Sequence, residues 1–543
     1  MEAVAEKRPR RIVGLDNPQV AGALPSVESR LGAAGESAVF ATILANALIV
    51  ANTLLRAGGH LLLMPLMITL LGAQQCGLWI TICTVTMYLS LSESGLGQTI
   101  VNRIGQAYTQ GRLEAVGQIT ATAHVLYWIL VGSIGSVAVA CVYWFPIGRL
   151  LLADSELGYE STLRVCLVVS TVLALSRIPM LVFPAVLMGT RRLPLRLWWE
   201  LLGTAASLAA TAAAILAGFG LLGATVAFNS VLLVSAAAIS FSSNRLGDWA
   251  RLRVSRFDPS LLRGLTSSSF FFFLISASGV IERSVAALMV PRLDSLAAAP
   301  AFFLLTNLSR GAGLGLITGL PRAAQPYVVM WSTHGDQARL ASSAKLLTKL
   351  SALASVLGVA VFAPFAESFV DAWLGPGSYP GDLVFWLIAM SFLCDALFCT
   401  PVLFLMAMDC HQRLAVCVAV KAVLAALLAL ACGSWGSEPL AGIAAGSLLG
   451  SILGFVAVPP LVQRALALGW PSYLNHFLAR PIIYALVVTG LAWAATPLAL
   501  QGQPAVVCCL WAGCLLAAWR WVLDAEDRGA LLGVVGSLLR KKV

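Results

Sequence analysis

The chain has 543 residues, 59% of them hydrophobic and only 11% charged, with a mean hydropathy of +0.87. A soluble domain keeps about a quarter of its residues charged, so this composition excludes one and points to an all-α polytopic membrane protein. The net charge of +10 is no nucleic-acid footprint, because the cations collect in alternate loops between apolar runs.

Residues 1–36 carry basic charge without an apolar run, so they read as a disordered cytoplasmic tail and not as a signal peptide. About fourteen spans follow, at 41–71, 76–101, 117–145, 161–188, 200–219, 221–241, 265–290, 297–319, 346–370, 382–408, 414–433, 439–462, 481–500 and 504–522. Each is long enough to cross about 30 Å of hydrocarbon as helix, and the Ala/Leu-rich runs lack the alternation of barrel strands. The spans divide into an N-terminal six-helix bundle (37–241), a cytoplasmic linker (242–264), a C-terminal six-helix bundle (265–462) and two additional helices (463–522). A basic tail (523–543) ends the chain, and 529–542 suits lying against anionic headgroups as well as it suits a frayed end.

One set of loops holds Arg8, Arg10, Arg103, Arg112, Arg191, Arg192, Arg251, Arg253, Arg322, Arg413 and Lys541 among others, and the opposite set little beyond Arg149 and Arg292. This asymmetry places both termini in the cytoplasm of an inner (plasma) membrane protein. Sliding the first span onto the seventh superposes Pro65 on Pro291 and Arg56 on Glu282; sliding the fourth onto the tenth superposes Arg177 on Asp395. Six spans per half give copies of equal orientation, related by a pseudo-two-fold along the membrane normal.

Several ionisable groups fall inside spans, where each costs about 2.5–3.5 kcal/mol unless it meets water or a partner. Asn52, Arg56 and His60 form one stripe on the first span, and Glu93 lies on the second. Glu282 and Arg283 lie on the seventh, Arg310 on the eighth, and Arg177 and Asp395 on the fourth and tenth. Together they would cost roughly 15–20 kcal/mol uncompensated. Two arrangements remove that cost. Static pairs could form across the halves, Arg56 with Glu282 and Arg177 with Asp395, or the set could line a hydrated cavity between the halves.

Four arginines against three carboxylates leave a cationic surplus that pairing does not explain. Guanidinium binds phosphate oxygens through two parallel hydrogen bonds, so Asn52, Arg56, His60, Arg177, Arg283 and Arg310 are candidates to hold an anionic headgroup. Glu93, Glu282 and Asp395 are candidates to bind a coupling H⁺ or Na⁺. His124 reads as a satisfied core histidine. No phosphate loop, zinc spacing or CxxC pair occurs, so neither an enzyme nor a bound cofactor is expected; the energy source would be an ion gradient or the membrane potential.

The stretch from Arg56 to Pro65, LGAQQCGLWITI (Leu71 to Ile82) and SESGLGQTIVNRIGQAYTQGR (Ser92 to Arg112) resemble the opening of O-antigen and exopolysaccharide flippases. These belong to the multidrug/oligosaccharidyl-lipid/polysaccharide exporter superfamily. LMGTRR (Leu187 to Arg192), QPY (Gln325 to Tyr327) and WLG (Trp373 to Gly375) extend the resemblance over roughly residues 45–460. It implies two six-helix bundles in a V and export of an undecaprenyl-diphosphate-linked oligosaccharide for surface polysaccharide biosynthesis. Membrane lipids, a polysaccharide polymerase and a chain-length regulator are the candidate partners. A lipid II-type flippase would share the fold and the cationic cavity. A multidrug antiporter would favour a carboxylate-lined pocket, which the arginine surplus opposes.

Overall fold

The computed structural model describes residues 27–89, 91–408, 411–500, 504–529 and 532. Among these there is no strand, and each expected span is helical. In hydrocarbon a backbone must satisfy its polar groups within the segment, and a helix does this unaided. Among the described residues, ten helices are long and apolar enough to cross a membrane.

In chain order, α1 is Val27–Leu71, and α2 comprises Ala73–Leu89 and Leu91–Thr109. α3 is Leu113–Trp144; α4 runs Glu160–Arg177, a 3₁₀ turn at Ile178–Leu181, then Val182–Gly189; α5 is Leu193–Leu216 and α6 Gly220–Asn244. α7 is Ser260–Leu293, and α8 runs from Ala299 to His334 through a π-helical turn at Asn307–Gly313. α9 comprises Gln337–Phe362 and Ala366–Leu374; α10 is Asp382–Ala407, α11 His411–Trp435, and α12 begins as Pro439–Ile452. α13 is Arg480–Leu500 and α14 Pro504–Ala517.

Two boundaries differ from the expectation. α1 starts at Val27, inside the stretch read as tail, because an Ala- and Glu-containing segment makes good helix whether or not it is apolar. The rest of that tail and residues 533–543 lie outside the described residues. α8 continues past 319, since Pro321 falls in the first turn of Gly319–His334, where a missing N–H costs nothing.

The apolar core is continuous at one end of the molecule and divided at the other. At the end carrying the cation-poor loops, one cluster joins Met64, Leu78 and Leu167 of the first half to Leu296, Phe302, Val356 and Phe385 of the second. At the basic end, one core gathers Ile104, Val116, Val186 and Ile239 with Leu265, while a separate one gathers Val328, Leu340, Phe404, Leu414 and Val462. Large apolar side chains such as Leu62, Val137, Leu216, Val234 and Leu486 face outward, as a lipid solvent requires.

The last two helices dock on α9 through a buried ionic cluster. The Lys349 ammonium, 0% exposed, lies 2.9 Å from Asp524 and 2.7 Å from Asp527, while Lys345 and Arg480 also pair with Asp524. Burial alone would raise the Asp524 pKa, but the two lysines outweigh it and hold its carboxyl well below the usual range.

Candidate functional site

α1 crosses α5 closely, since a Cβ at Gly59 would lie 2.2 Å from Leu208 Cδ1. Asn52 fixes the crossing by donating to the Leu197 carbonyl at 2.9 Å. One turn further along each helix, Arg56 meets Glu200 at 3.4 Å, and Arg196 holds the other oxygen of that carboxylate at 2.6 Å. Arg177 ends the regular part of α4, just before the 3₁₀ turn that carries Pro179. These groups border a cavity of about 690 Å³ lined by α1, α2 and α4 to α8, with Thr84, Ser170, Ser207, Asn229, Thr306 and Asn307 adding polar atoms.

The electrostatics of this cavity are unbalanced. Arg56, Arg177 and Arg196 face one carboxylate, Glu200, and no partner for the Arg177 guanidinium occurs among the described residues. The Arg56 side chain is 61% exposed, so its pair with Glu200 is weak and readily exchanged. Arg310 lies in the far wall but is already committed. Set on the π-helical turn and 6% exposed, it pairs with Asp395 at 3.1 Å. It also donates to the Glu282 carbonyl and Ser451 at 3.0 Å each, and to Ser391. Lys421 completes that network, 2.5 Å from Glu282 and 3.4 Å from Asp395.

The closed end is sealed by specific contacts between the halves. Pro65 leaves the Leu61 carbonyl without its helical donor, and the Trp373 indole donates to it at 2.9 Å. Glu156 accepts the Leu296 N–H at 2.9 Å, and the Ala153 N–H donates to Pro291 O at 2.9 Å. A Cβ at Gly77 would lie 1.9 Å from Leu296 O, so only glycine permits this approach. The seals join the halves at this end, whereas at the basic end their cores are separate and the start of α7 stays with the first half, where Arg103 donates to Gly264 O at 3.0 Å.

The expected site residues therefore separate. Arg56, Arg177 and Arg310 border the cavity, whereas Asn52 turns to α5 and Glu282 and Asp395 lie in the buried network. The side chains of His60, Glu93 and Arg283 fall outside the described set. The static pairs Arg56–Glu282 and Arg177–Asp395 are corrected: Arg56 pairs with Glu200, Glu282 with Lys421, and Asp395 with both Arg310 and Lys421. The charge count from the sequence omitted Glu200 and Lys421, although Arg196 and Glu200 stand at helical i,i+4 spacing and Lys421 lies within an expected span. His124 is satisfied as expected: Trp128 donates to its Nε2 at 3.1 Å, so Nδ1 carries the proton and donates to Pro179 O at 2.9 Å.

No protein-family model and no curated protein matches this sequence. Solved structures do match. An inward-facing multidrug-resistance MATE family transporter of the MOP superfamily aligns with a TM-score of 0.65 at 15% identity, covering 76% of this chain and 95% of its own. An outward-facing MATE transporter of the same superfamily gives 0.58 at 14% identity, over 79% and 96%. A MOP superfamily transporter from Pyrococcus furiosus, described as having a binding pocket of reverse polarity that suggests a different function, gives 0.59 at 15% identity, over 79% and 96%. The chain thus has the all-α, multi-pass fold of the MATE-type transporters of the MOP superfamily.

Proposed function

We propose that this protein is an alternating-access exporter that receives the anionic, diphosphate-bearing head of a lipid-linked oligosaccharide at the cytoplasmic face and releases it at the other. The cavity carries the reading: three guanidinium groups stand against one carboxylate between two halves whose cores are separate at the basic end. Guanidinium forks bind phosphate oxygens, and a wet cleft open to the side accommodates glycan while the lipid tail stays in the bilayer. Basic loops favour the cytoplasm, which supports an inward-facing state with both termini on the cytoplasmic side of an inner membrane. MATE-type folds known in inward- and outward-facing forms support the alternating cycle. The net positive cavity disfavours the same-fold alternative of cationic drug export, since a cation would enter against two surplus charges. A lipid II-type precursor would satisfy the same chemistry, and the glycan product distinguishes the two. In surface polysaccharide synthesis, a polymerase and a chain-length regulator would act on the exported unit.

Replacing Arg177 and Arg56 together with Gln tests the reading. Surface polysaccharide should fall at least about 100-fold, as expected from losing two charge-assisted phosphate contacts of roughly 1.5–3 kcal/mol each, with protein level in the membrane unchanged. Normal surface polysaccharide in that strain overturns it.

A further inference from the structure

The two carboxylates of the second half already share a cation supplied by the chain. Glu282 reaches inward from α7 and Asp395 from α10, and one oxygen of each meets the Lys421 ammonium of α11, at 2.5 and 3.4 Å. Two converging carboxylate oxygens are the kind of ligand set that a hard cation takes. The ammonium is held in place. Gly446 and Gly450 of α12 press against Ala429 and Ala425 of α11, where a Cβ would come within 2.4 and 2.2 Å of them, so the two helices pack closely. Arg310 of α8 fills the other side of Asp395, the hydroxyls of Ser391 and Ser451 close the site, and Cys394 and Cys399 are neighbouring titratable groups. A void beside Glu282 and Arg310 measures about 10 Å³.

We infer that Lys421 is a tethered counter-ion, occupying the place where a diffusible Na⁺ or H⁺ would otherwise neutralise Glu282 and Asp395. Among the described side chains two cations balance two carboxylates, so the site has no net attraction for a second cation. Glu282 and Asp395, expected from the sequence to bind a coupling ion, are then served by an internal one. Shortening Lys421 would expose the vacated ligand set and create a monovalent-cation site. The inference builds on the transporter reading for its meaning in the cycle, but its test needs no substrate.

The experiment follows thermal unfolding of the full chain in detergent, comparing NaCl with choline chloride at equal ionic strength. Wild type should unfold at the same temperature in both. Lys421→Met should be stabilised by sodium by about 5 °C, the size expected when an ion at many times its dissociation constant binds only the folded state. In choline, lowering the pH from 8 to 5.5 should substitute for sodium, because a proton then neutralises the surplus carboxylate. Lys421→Met combined with Glu282→Gln restores the balance and should lose both dependences. Sodium stabilisation of wild type equal to that of Lys421→Met, or a folded Lys421→Met indifferent to sodium and pH, overturns the inference. Should the single variant not be recovered from membranes, recovery of the double variant supports it and failure to recover that one overturns it. Because unfolding is read without substrate, neither result depends on whether the arginine variants lose export.

Discussion

The two halves carry similar numbers of intramembrane charges and use them differently. In the first half, Arg56, Arg177 and Arg196 face open space against the single carboxylate of Glu200. In the second, Glu282, Arg310, Asp395 and Lys421 close on one another, two against two, with serine hydroxyls on the remaining donors. Charge in a membrane protein is tolerated either because water reaches it or because an opposite charge does, and this chain uses one solution in each half. The first leaves electrostatic potential available to a ligand. The second consumes it in holding α7, α8, α10 and α11 together.

That contrast is broken most directly by removing one member of the balanced set. Asp395→Ala leaves Arg310 and Lys421 against Glu282 alone, with a buried surplus cation. We expect a destabilisation of about 3–5 kcal/mol, the usual result of deleting one partner of a buried ion pair. Thermal unfolding in detergent reads it, and a variant as stable as wild type would mean that water, and not pairing, sustains the second half.

The contrast was only partly visible in the sequence. Helix positions and the alternation of basic loops follow from apolar run length and cation placement, properties of each segment alone, and they survive in the structure. Arg56 and Arg177 of the first half were also legible, because an Arg at mid-span has few explanations, whereas Arg196 reads as a loop cation and joins them only because α5 begins at Leu193. Which carboxylate meets which cation was not legible, since it depends on where helices cross: Arg56 finds Glu200 only because Asn52 locks α1 onto α5 at Leu197. Lys421 was present at the right depth in α11, yet nothing local marks it as the partner of residues 26 positions before it in the chain and on α7.

A smaller effect is expected where the halves touch each other. Trp373 supplies the hydrogen bond that Pro65 denies to the Leu61 carbonyl, so Trp373→Phe removes the donor and keeps the ring. An unsatisfied buried carbonyl costs about 1–3 kcal/mol, and here that cost falls on the closed seal alone. The variant should therefore shift toward the outward-open state, which labelling of a cysteine introduced at the seal beside Leu296 would detect. If labelling does not rise, the seal is carried by Glu156 and the Gly77 approach instead.

The smallest expected change in stability sharpens the comparison from the other side. Arg56 is mostly exposed to the cavity, and its pair with Glu200 at 3.4 Å is long, while Arg196 satisfies the same carboxylate more closely. Removing a charge from such a site relieves repulsion among the arginines as much as it loses attraction to Glu200. Arg56→Gln should accordingly unfold within about 0.5 kcal/mol of wild type, as exposed pairs usually allow. Under the proposed function its cost should appear in export, as the loss of a guanidinium fork that the fold itself never needed. A variant destabilised as strongly as Asp395→Ala would show that the first half, too, spends its charges on structure, and the cavity would then have no potential to offer an anion.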